Sequence, residues 1–215
     1  MLVKNAVKIT GGLSNPGKMP GFAYNLPAAE CKIGSLLRTV KKSVCFGCYA
    51  LKGRYAFPVV VAAMYRRLKS IMGPLWVNAM AVLINSKAKW GHDCFRWHDS
   101  GDIQNRAHLD RIIEVCRLTP GVMHWLPTRE LKLMRDYIGS AQSWREIFPA
   151  NVVPRLSAPM VDGPPPEIAD FPTSTVISDH KPGPGICPAP EQDKTCGACR
   201  NCWNPNISNV AYRAH

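Results

Sequence analysis

The strongest chemical signal in this sequence is a group of four cysteines near its C-terminal end. Three of them form a C-x-x-C-x-x-C run, a spacing that lets thiolates converge on one compact inorganic centre, as in ferredoxin-type sites. The small residues Gly197 and Ala198 let the backbone wrap closely. Zinc also accepts four thiolates, usually as two well-separated pairs, and unligated thiols are a third interpretation. We predict a 4Fe–4S cluster ligated by Cys187, Cys196, Cys199 and Cys202.

A second group of cysteines lies in the N-terminal part of the chain, where Cys31 precedes a C-x-x-C pair formed by Cys45 and Cys48. The pair alone could be half of a zinc site or a redox-active dithiol. Together, the three thiols suit a second 4Fe–4S cluster in which one iron has no protein ligand. An open coordination position is typical of catalytic metal sites, so we predict that this is the reactive centre.

The two remaining cysteines have no comparable partners in the sequence. Cys116 shares the apolar face of a predicted helix, which indicates a small, buried apolar side chain. Cys94 lies between His92 and His98. We predict that it is a packed thiol, and a fourth ligand to the N-terminal cluster is the alternative.

The composition limits the class of protein. The cysteine count of nine is odd, and no apolar stretch with a small-residue cleavage site opens the chain, which argues against export and a disulfide framework. No apolar run reaches the length of about 20 residues that spans a bilayer. With 27 Lys and Arg against 15 Asp and Glu, the formal charge is +12, which favours polyanionic partners.

Basic residues concentrate around the N-terminal cysteines, and Tyr49 and Tyr55 lie among them. This combination suits a strand of nucleic acid that lies over the cluster, whereas an ordinary solvated loop is the simpler interpretation. The basic residues concerned are Lys32, Arg38, Lys41, Lys42, Lys52 and Arg54.

Helical and extended patterns alternate along the part of the chain that must hold these sites. Helices are predicted over residues 60–71, 76–90, 109–116 and 130–137, and strands over residues 95–100, 122–126, 152–157 and 175–178. The alternation predicts an α/β fold with parallel strands. One domain over residues 1–180 would include the N-terminal cysteine loop, and an irregular cysteine-rich tail over residues 181–215 would pack on it.

Polar residues that follow the predicted strands should share one edge of the sheet, because the carboxyl ends of parallel strands meet there. Asp102, Arg129 and His98 are the candidate catalytic residues. Arg129 could act on a substrate or form a structural ion pair with a carboxylate, and His124 should be packed inside the sheet. The residues expected at this edge are His98, Asp99, Asp102, Thr128, Arg129 and Glu130.

Several short motifs together resemble one family. They are Cys45-Phe-Gly-Cys-Tyr-Ala, Arg96-Trp-His-Asp-Ser-Gly-Asp102, Leu126-Pro-Thr-Arg-Glu130, Arg155-Leu-Ser157 and Cys196-Gly-Ala-Cys-Arg-Asn-Cys-Trp203. In this combination, and over most of the chain from Gly17 to His215, the sequence resembles the bacteriophage gene-product-88-like family. The resemblance implies a phage protein that works in the cytoplasm of an infected bacterial host, and it implies no defined activity.

The order of the motifs is also similar, more distantly, to that of radical S-adenosylmethionine enzymes. Their cysteine motif ends in C-x-x-C-aromatic, and a following strand ends in Gly-Gly-Glu. This similarity implies a partial (β/α) barrel and S-adenosylmethionine as a cofactor. Two features depart from the pattern: thirteen residues separate Cys31 from Cys45 where that family has three, and Asp102 is one methylene shorter than glutamate. The residues implied to bind the cofactor are Tyr49, Ser100, Gly101 and Asp102.

Two functions are compatible with these observations. The first is an iron–sulfur enzyme that uses S-adenosylmethionine or redox chemistry on nucleic acid or a metabolite, with electrons reaching the open cluster from the closed one. The second is a non-enzymatic module, in which iron–sulfur or zinc centres stabilise the fold and the basic face binds nucleic acid or a host protein.

Overall fold

A single, fully parallel sheet of six strands forms the centre of the protein in the computed structural model, which describes residues 1–179, 181 and 183–214. The strands lie side by side in chain order, so each connection moves one position across the sheet. Parallel neighbours require crossover connections, and the predicted α/β class is confirmed. The strands are β1 (Phe22–Tyr24), β2 (Cys94–Trp97), β3 (Met123–Thr128), β4 (Val152–Val161), β5 (Thr173–Ile177) and β6 (Asn209–Arg213).

Helices make the first three crossovers. The helices are α1 (Val3–Thr10), α2 (Lys32–Leu37), α3 (Pro58–Ser70), α4 (Trp76–Ala88), α5 (Arg106–Arg117) and α6 (Leu131–Ile138). Within the described residues, the connections from β4 to β5 and from β5 to β6 contain no α-helix. The connection from β5 to β6 contains the four tail cysteines, so the cysteine-rich segment is inserted in the sequence between two strands that pair with each other.

The four predicted helices correspond to α3, α4, α5 and α6, and the predicted strands to β2, β3, β4 and β5. The helices α1 and α2 and the strands β1 and β6 have no counterpart among the predicted elements. β2 ends at Trp97 rather than at residue 100, because His98 has a φ of 57° and leaves the extended conformation.

Helix α5 shows how local sequence determines an element that supports the site. The Asn105 side chain accepts a hydrogen bond from the backbone N–H of His108 at 2.8 Å, which satisfies one of the free donors of the first turn. Leu109 and Ile113 then face the core at helical spacing. Cys116 is fully buried on the same face, which confirms the prediction of a packed side chain.

The sheet separates two apolar cores, because successive side chains of a strand point to opposite faces. Phe95 and Trp97 pack in the larger core, which the helices cover. Cys94, which directly precedes Phe95, points to the other face and packs in the same cluster as Cys202, as the packed-thiol interpretation predicts. His124 is fully buried with its ring stacked on Trp97, which confirms its predicted packing. We call the second core the tail-side core: Cys94, Trp125, Cys202, Trp203 and Val210.

The cysteine-rich tail is more regular than predicted, since it ends in a strand that pairs with β5. The Trp203 indole donates a hydrogen bond to the Phe95 carbonyl at 2.9 Å and so attaches the tail to β2. The predicted boundary at residue 180 falls on a residue outside the described ranges. Among the described residues, no helix has the length and apolarity needed to cross a bilayer.

Candidate functional site

The N-terminal cysteines meet where the strands end. Cys31 precedes α2, Cys45 is buried, and Cys48 precedes a short 3-10 turn. The sulfurs of Cys31 and Cys45 each lie 3.7 Å from the point that a Cβ atom on Gly34 would occupy. The two sulfurs are therefore separated by no more than twice that distance, and the missing side chain of Gly34 leaves space between them.

Backbone contacts fix the cysteine loop against the ends of two strands. The Val44 N–H donates to the Pro159 carbonyl at 2.9 Å, and the Val161 N–H donates to the Lys42 carbonyl at 2.9 Å. At the start of α2, the Ile33 N–H donates to Glu130 Oε1 at 3.2 Å. The loop thus has defined attachments to β4 and to the residues that follow β3.

Asp102 is the carboxylate of this site. It is buried, and it accepts hydrogen bonds from Thr128 Oγ1 at 2.7 Å, from the Arg129 N–H at 2.9 Å and from the Ile103 N–H at 2.8 Å. Burial nevertheless raises the pKa of Asp102 above its ordinary value, because those hydrogen bonds offset only part of the desolvation. The structure thus brings Asp102, Thr128, Arg129 and Glu130 together, as predicted.

The thiols are electrostatically close to one another and to Asp102. Burial and the negative charges of Asp102, Cys48 and Cys45 together raise the pKa of the Cys31 thiol to about 12, against a lowering effect of Arg38. Burial also raises the pKa of Cys45, against the lowering effect of the Arg129 guanidinium. Several acidic groups thus lie close together, and each disfavours the ionisation of the others. Deprotonation of these thiols would therefore need a compensating positive charge.

Arg129 contributes to the site through its side chain and its main chain. Its backbone N–H binds Asp102, and its Nε donates to the Ala158 carbonyl at 3.4 Å. Within the described part of the chain it forms no contact ion pair with a carboxylate, but its positive charge lowers the pKa of the neighbouring Asp102 carboxyl, against the raising effect of burial.

The predicted cofactor-binding residues Ser100 and Gly101 pack against the chain after β1. Ser100 Oγ donates to the Leu26 carbonyl at 2.9 Å, and the Leu26 N–H donates to the Ser100 carbonyl at 2.8 Å. Gly101 has a φ of 85°, and a Cβ atom there would lie 2.6 Å from the Leu26 Cβ. Only glycine fits at position 101, and this turn sets the position of Asp102.

The two tyrosines of the loop are held by Asp99. The Tyr49 hydroxyl donates to the Asp99 carbonyl at 2.7 Å, and the Tyr55 hydroxyl donates to Asp99 Oδ2 at 2.9 Å. Ser14 Oγ donates to the other carboxylate oxygen at 2.9 Å. Asp99 therefore fastens the loop after the cysteines to β2, a positioning role that the sequence did not reveal.

His98 lies apart from the cysteines. Its ring is buried, with its centroid 5.4 Å from the His108 ring of α5, and neither ring nitrogen has a hydrogen-bond partner among the described residues. Burial lowers the pKa of His98 well below its ordinary value. The predicted edge therefore holds Asp102 and Arg129, whereas His98 contacts the helix layer.

The tail cysteines form the second site, in the segment of chain that connects β5 to β6. The Cys187 N–H donates to the Ala211 carbonyl at 2.8 Å, the Cys196 N–H donates to the Lys18 carbonyl at 2.9 Å, and Cys202 Sγ lies 3.0 Å from the Tyr212 hydroxyl. Burial raises the pKa of the Cys196 thiol, and the charges of Cys187 and Cys199 raise it further, so these three are neighbours.

A buried arginine holds the tail in place. Arg155 of β4 is fully buried and donates to four backbone carbonyls at 2.9–3.2 Å. Its neighbouring ionisable groups are Tyr212 and Cys202. Burial raises the pKa of the Cys202 thiol to about 12, against the lowering effect of the Tyr212 hydrogen bond and the Arg155 charge. The sequence feature that could have identified this buried arginine is its position within an otherwise apolar predicted strand. The carbonyls belong to Thr173, Asn201, Asn204 and Ile207.

A second arginine approaches the tail-side core from β2. The Arg96 guanidinium carbon lies 4.4 Å from the centre of the Trp125 ring, and Nη1 lies 3.9 Å from the Met19 sulfur. In the described part of the chain, no three His, Cys, Asp or Glu side chains are arranged to hold a single metal ion.

A family described as gene product 88 matches residues 1–205, which is nearly the whole chain. The protein therefore belongs to the gene product 88 family, as its motifs predict. No curated protein and no solved structure matches the chain.

Proposed function

We propose that this member of the gene product 88 family is an iron–sulfur enzyme of redox or radical type, which works in the cytoplasm of an infected bacterium. Cys31, Cys45 and Cys48 would hold a 4Fe–4S cluster with one iron free of protein ligands. The four tail cysteines would hold a closed second cluster. The observation that carries the proposal is that the sulfurs of Cys31 and Cys45 flank Gly34, with Cys48 and Asp102 close enough for their charges to act on Cys31.

The donor sets of both sites fit such clusters. Each site offers cysteine thiols, which are the ligands that 4Fe–4S clusters take. At the loop site, Gly34 leaves space between the sulfurs of Cys31 and Cys45. At the tail site, the buried charge of Arg155 would stabilise the negative charge of a thiolate-ligated centre.

The residues beside the loop cluster would bind and orient the reacting molecule. When bound, a cluster with an open iron supplies one-electron transfer and a coordination position for a substrate or cofactor. Asp102 is held rigidly by three donors, so its carboxylate could accept a hydrogen bond from a cationic group of that molecule. Arg129 offers a positive charge to an anionic group beside Cys45.

S-adenosylmethionine is the cofactor that this arrangement suits best. The sequential order of the parallel strands supports this choice, and we propose that Asp102 takes the role of the glutamate that binds the amino group of the cofactor in radical enzymes. Ser100 and Gly101 are engaged with Leu26, so they would act by positioning Asp102. The proposal that S-adenosylmethionine binds can fail while the proposal of two clusters stands.

Anaerobic reconstitution tests the proposal. We expect about eight iron and eight sulfide per chain, about four in Cys31→Ser and about four in Cys199→Ser. Cys116→Ser is the matched control, because that thiol is buried away from both sites, and it should keep about eight. Addition of S-adenosylmethionine should shift the electron paramagnetic resonance of the reduced loop cluster. A colourless protein that contains only zinc contradicts the proposal.

The second candidate is a non-enzymatic module whose centres stabilise the fold. The observation in its favour is the tail, since Arg155 and Trp203 tie the segment between β5 and β6 to the sheet. In that case both centres would be fully ligated by protein, and S-adenosylmethionine would leave the resonance unchanged.

A further inference from the structure

The positive charge of this protein is confined to one part of the chain. Residues 1–92 contain fourteen Lys and Arg but a single Asp or Glu, Glu30, whereas residues 93–215 contain thirteen Lys and Arg and fourteen Asp and Glu. The whole net charge of +12 therefore originates in the N-terminal part. Glu30 itself accepts a hydrogen bond from the Tyr65 hydroxyl at 3.0 Å.

Many of these basic residues lie in the cysteine loop or flank it in the sequence. We call their exposed side chains, together with two exposed phenylalanines of the same segment, the basic loop face. The ion pairs among residues 1–179, 181 and 183–214 all lie between residues 132 and 181. Without forming such pairs, Lys32 and Lys42 act through their charges on the carboxyls of Glu130 and Asp162. The residues of the basic loop face are Lys32, Lys41, Lys42, Phe46, Lys52, Arg54 and Phe57, all exposed.

Two large aromatic rings on this face are exposed to solvent. Phe46, between Cys45 and Cys48, is 54% exposed, and Phe57, which precedes α3, is 56% exposed. Solvent-exposed phenylalanine has an energetic cost, because its apolar area remains hydrated. Since the hydroxyls of Tyr49 and Tyr55 bind Asp99, the phenylalanines are the rings best placed to stack on a ligand.

From this combination of exposed rings and exposed basic side chains that form no contact ion pair with a described residue, we propose that the basic loop face binds single-stranded nucleic acid. Phosphates would contact the lysines and Arg54, and bases would stack on Phe46 and Phe57. An unpaired strand suits the rings, because the faces of its bases are accessible. The inference goes beyond the proposed enzyme activity and does not depend on which metal the cysteines hold.

A membrane surface and an acidic protein are the alternative partners for a basic and partly apolar face. Membrane-surface binding typically uses a long amphipathic helix, whereas α2 has only six residues and the two phenylalanines lie outside helices.

Fluorescence anisotropy with the reconstituted full chain tests this inference. The probes are labelled single-stranded oligo-dT and oligo-rU of about 20 nucleotides, a duplex of equal length, and vesicles with and without anionic lipid. Contacts with about five phosphates predict a slope of about −3.5 for log K against log salt concentration. We expect single strands to bind more tightly than the duplex.

Matched variants locate the binding surface. Lys41→Glu/Lys52→Glu should weaken binding by about 100-fold at low salt and flatten the salt slope by about 1.4. The control Lys132→Glu/Arg135→Glu changes the net charge equally on the exposed face of α6 and should change binding by less than about threefold. Phe57→Ala should weaken single-strand binding by about tenfold.

Three results would overturn the inference. They are the absence of binding at low salt, equal losses in both charge-reversal variants, and tighter binding to anionic vesicles than to single strands. Iron and sulfide contents, measured on the same samples, report separately on the proposed enzyme function.

Discussion

At the scale of single residues, the least replaceable position in the site is a glycine rather than a ligand. Gly101 occupies the left-handed region and lies directly against Leu26, while the next residue supplies the carboxylate beside the cysteines. The polar pattern after β2 identifies Asp102 from sequence alone. The left-handed backbone conformation of Gly101, which positions the Asp102 carboxylate, cannot be identified from sequence, because glycine is also common in loops that do not need this conformation.

Gly101→Ala should therefore destabilise the protein by about 3 kcal/mol, since it adds left-handed strain and a contact of 2.6 Å. Urea unfolding of the reconstituted protein measures the change. Gly121→Ala is the control, because a Cβ atom there meets nothing within 4 Å, and we expect less than about 0.5 kcal/mol. Equal stability of both variants would mean that the turn at Gly101 is not constrained.

His98 shows why sequence reasoning predicted some site residues and not others. Alternation along β2 predicts which residues share a face only while the strand stays extended. At His98 the φ becomes positive, and the ring packs beside His108 instead of the cysteines. Arg129 and Glu130 follow β3 without such a reversal, and they lie where the sequence predicts.

At the scale of elements, the amphipathic helices were predictable, and the short or polar elements were not. α3 to α6 carry apolar residues at helical spacing over two turns or more, a strong signal. β1 has only three residues, and β6 follows a polar, proline-containing segment. Both strands exist because neighbouring strands and the tail pack on them, which is tertiary information.

The attachment of the tail to β4 depends on one side chain, so Arg155→Met should release it. Four carbonyls would lose a charged donor, at a cost of about 3 kcal/mol. We expect iron to fall from about eight to about four per chain, with the loop cluster retained. Lys132→Met, which removes an exposed ion pair with Asp136 on α6, is the control. Full iron content in Arg155→Met would contradict this role.

At the scale of the whole molecule, three neutral imidazoles make the fold sensitive to acid. Burial lowers the pKa of His108 and of His124 to about 3, and that of His98 well below its ordinary value. In the unfolded chain these imidazoles become protonated as the pH falls through about 6.5, whereas in the folded chain they stay neutral to a much lower pH. Stability from this source is therefore complete above about pH 6.5 and decreases as the pH falls towards 3.

Each such histidine should add about 1.4 kcal/mol per pH unit to the slope of unfolding free energy against pH. His124→Gln should reduce the slope by that amount between about pH 6 and about pH 5, in urea titrations of wild type and variant under argon. His92→Gln is the matched control, because it makes the same replacement at an exposed position. Parallel curves for His124→Gln and wild type would show that His124 is not held neutral.

The packing of indoles beside the tail cysteines has one more consequence. Trp203 follows Cys202 directly and meets Trp125 edge-on, with ring centroids 5.3 Å apart. The iron–sulfur cluster proposed for the tail would absorb light near these two indoles and quench their fluorescence by energy transfer. On that proposal, indole emission is weak while the tail holds its cluster and rises when the cluster is lost.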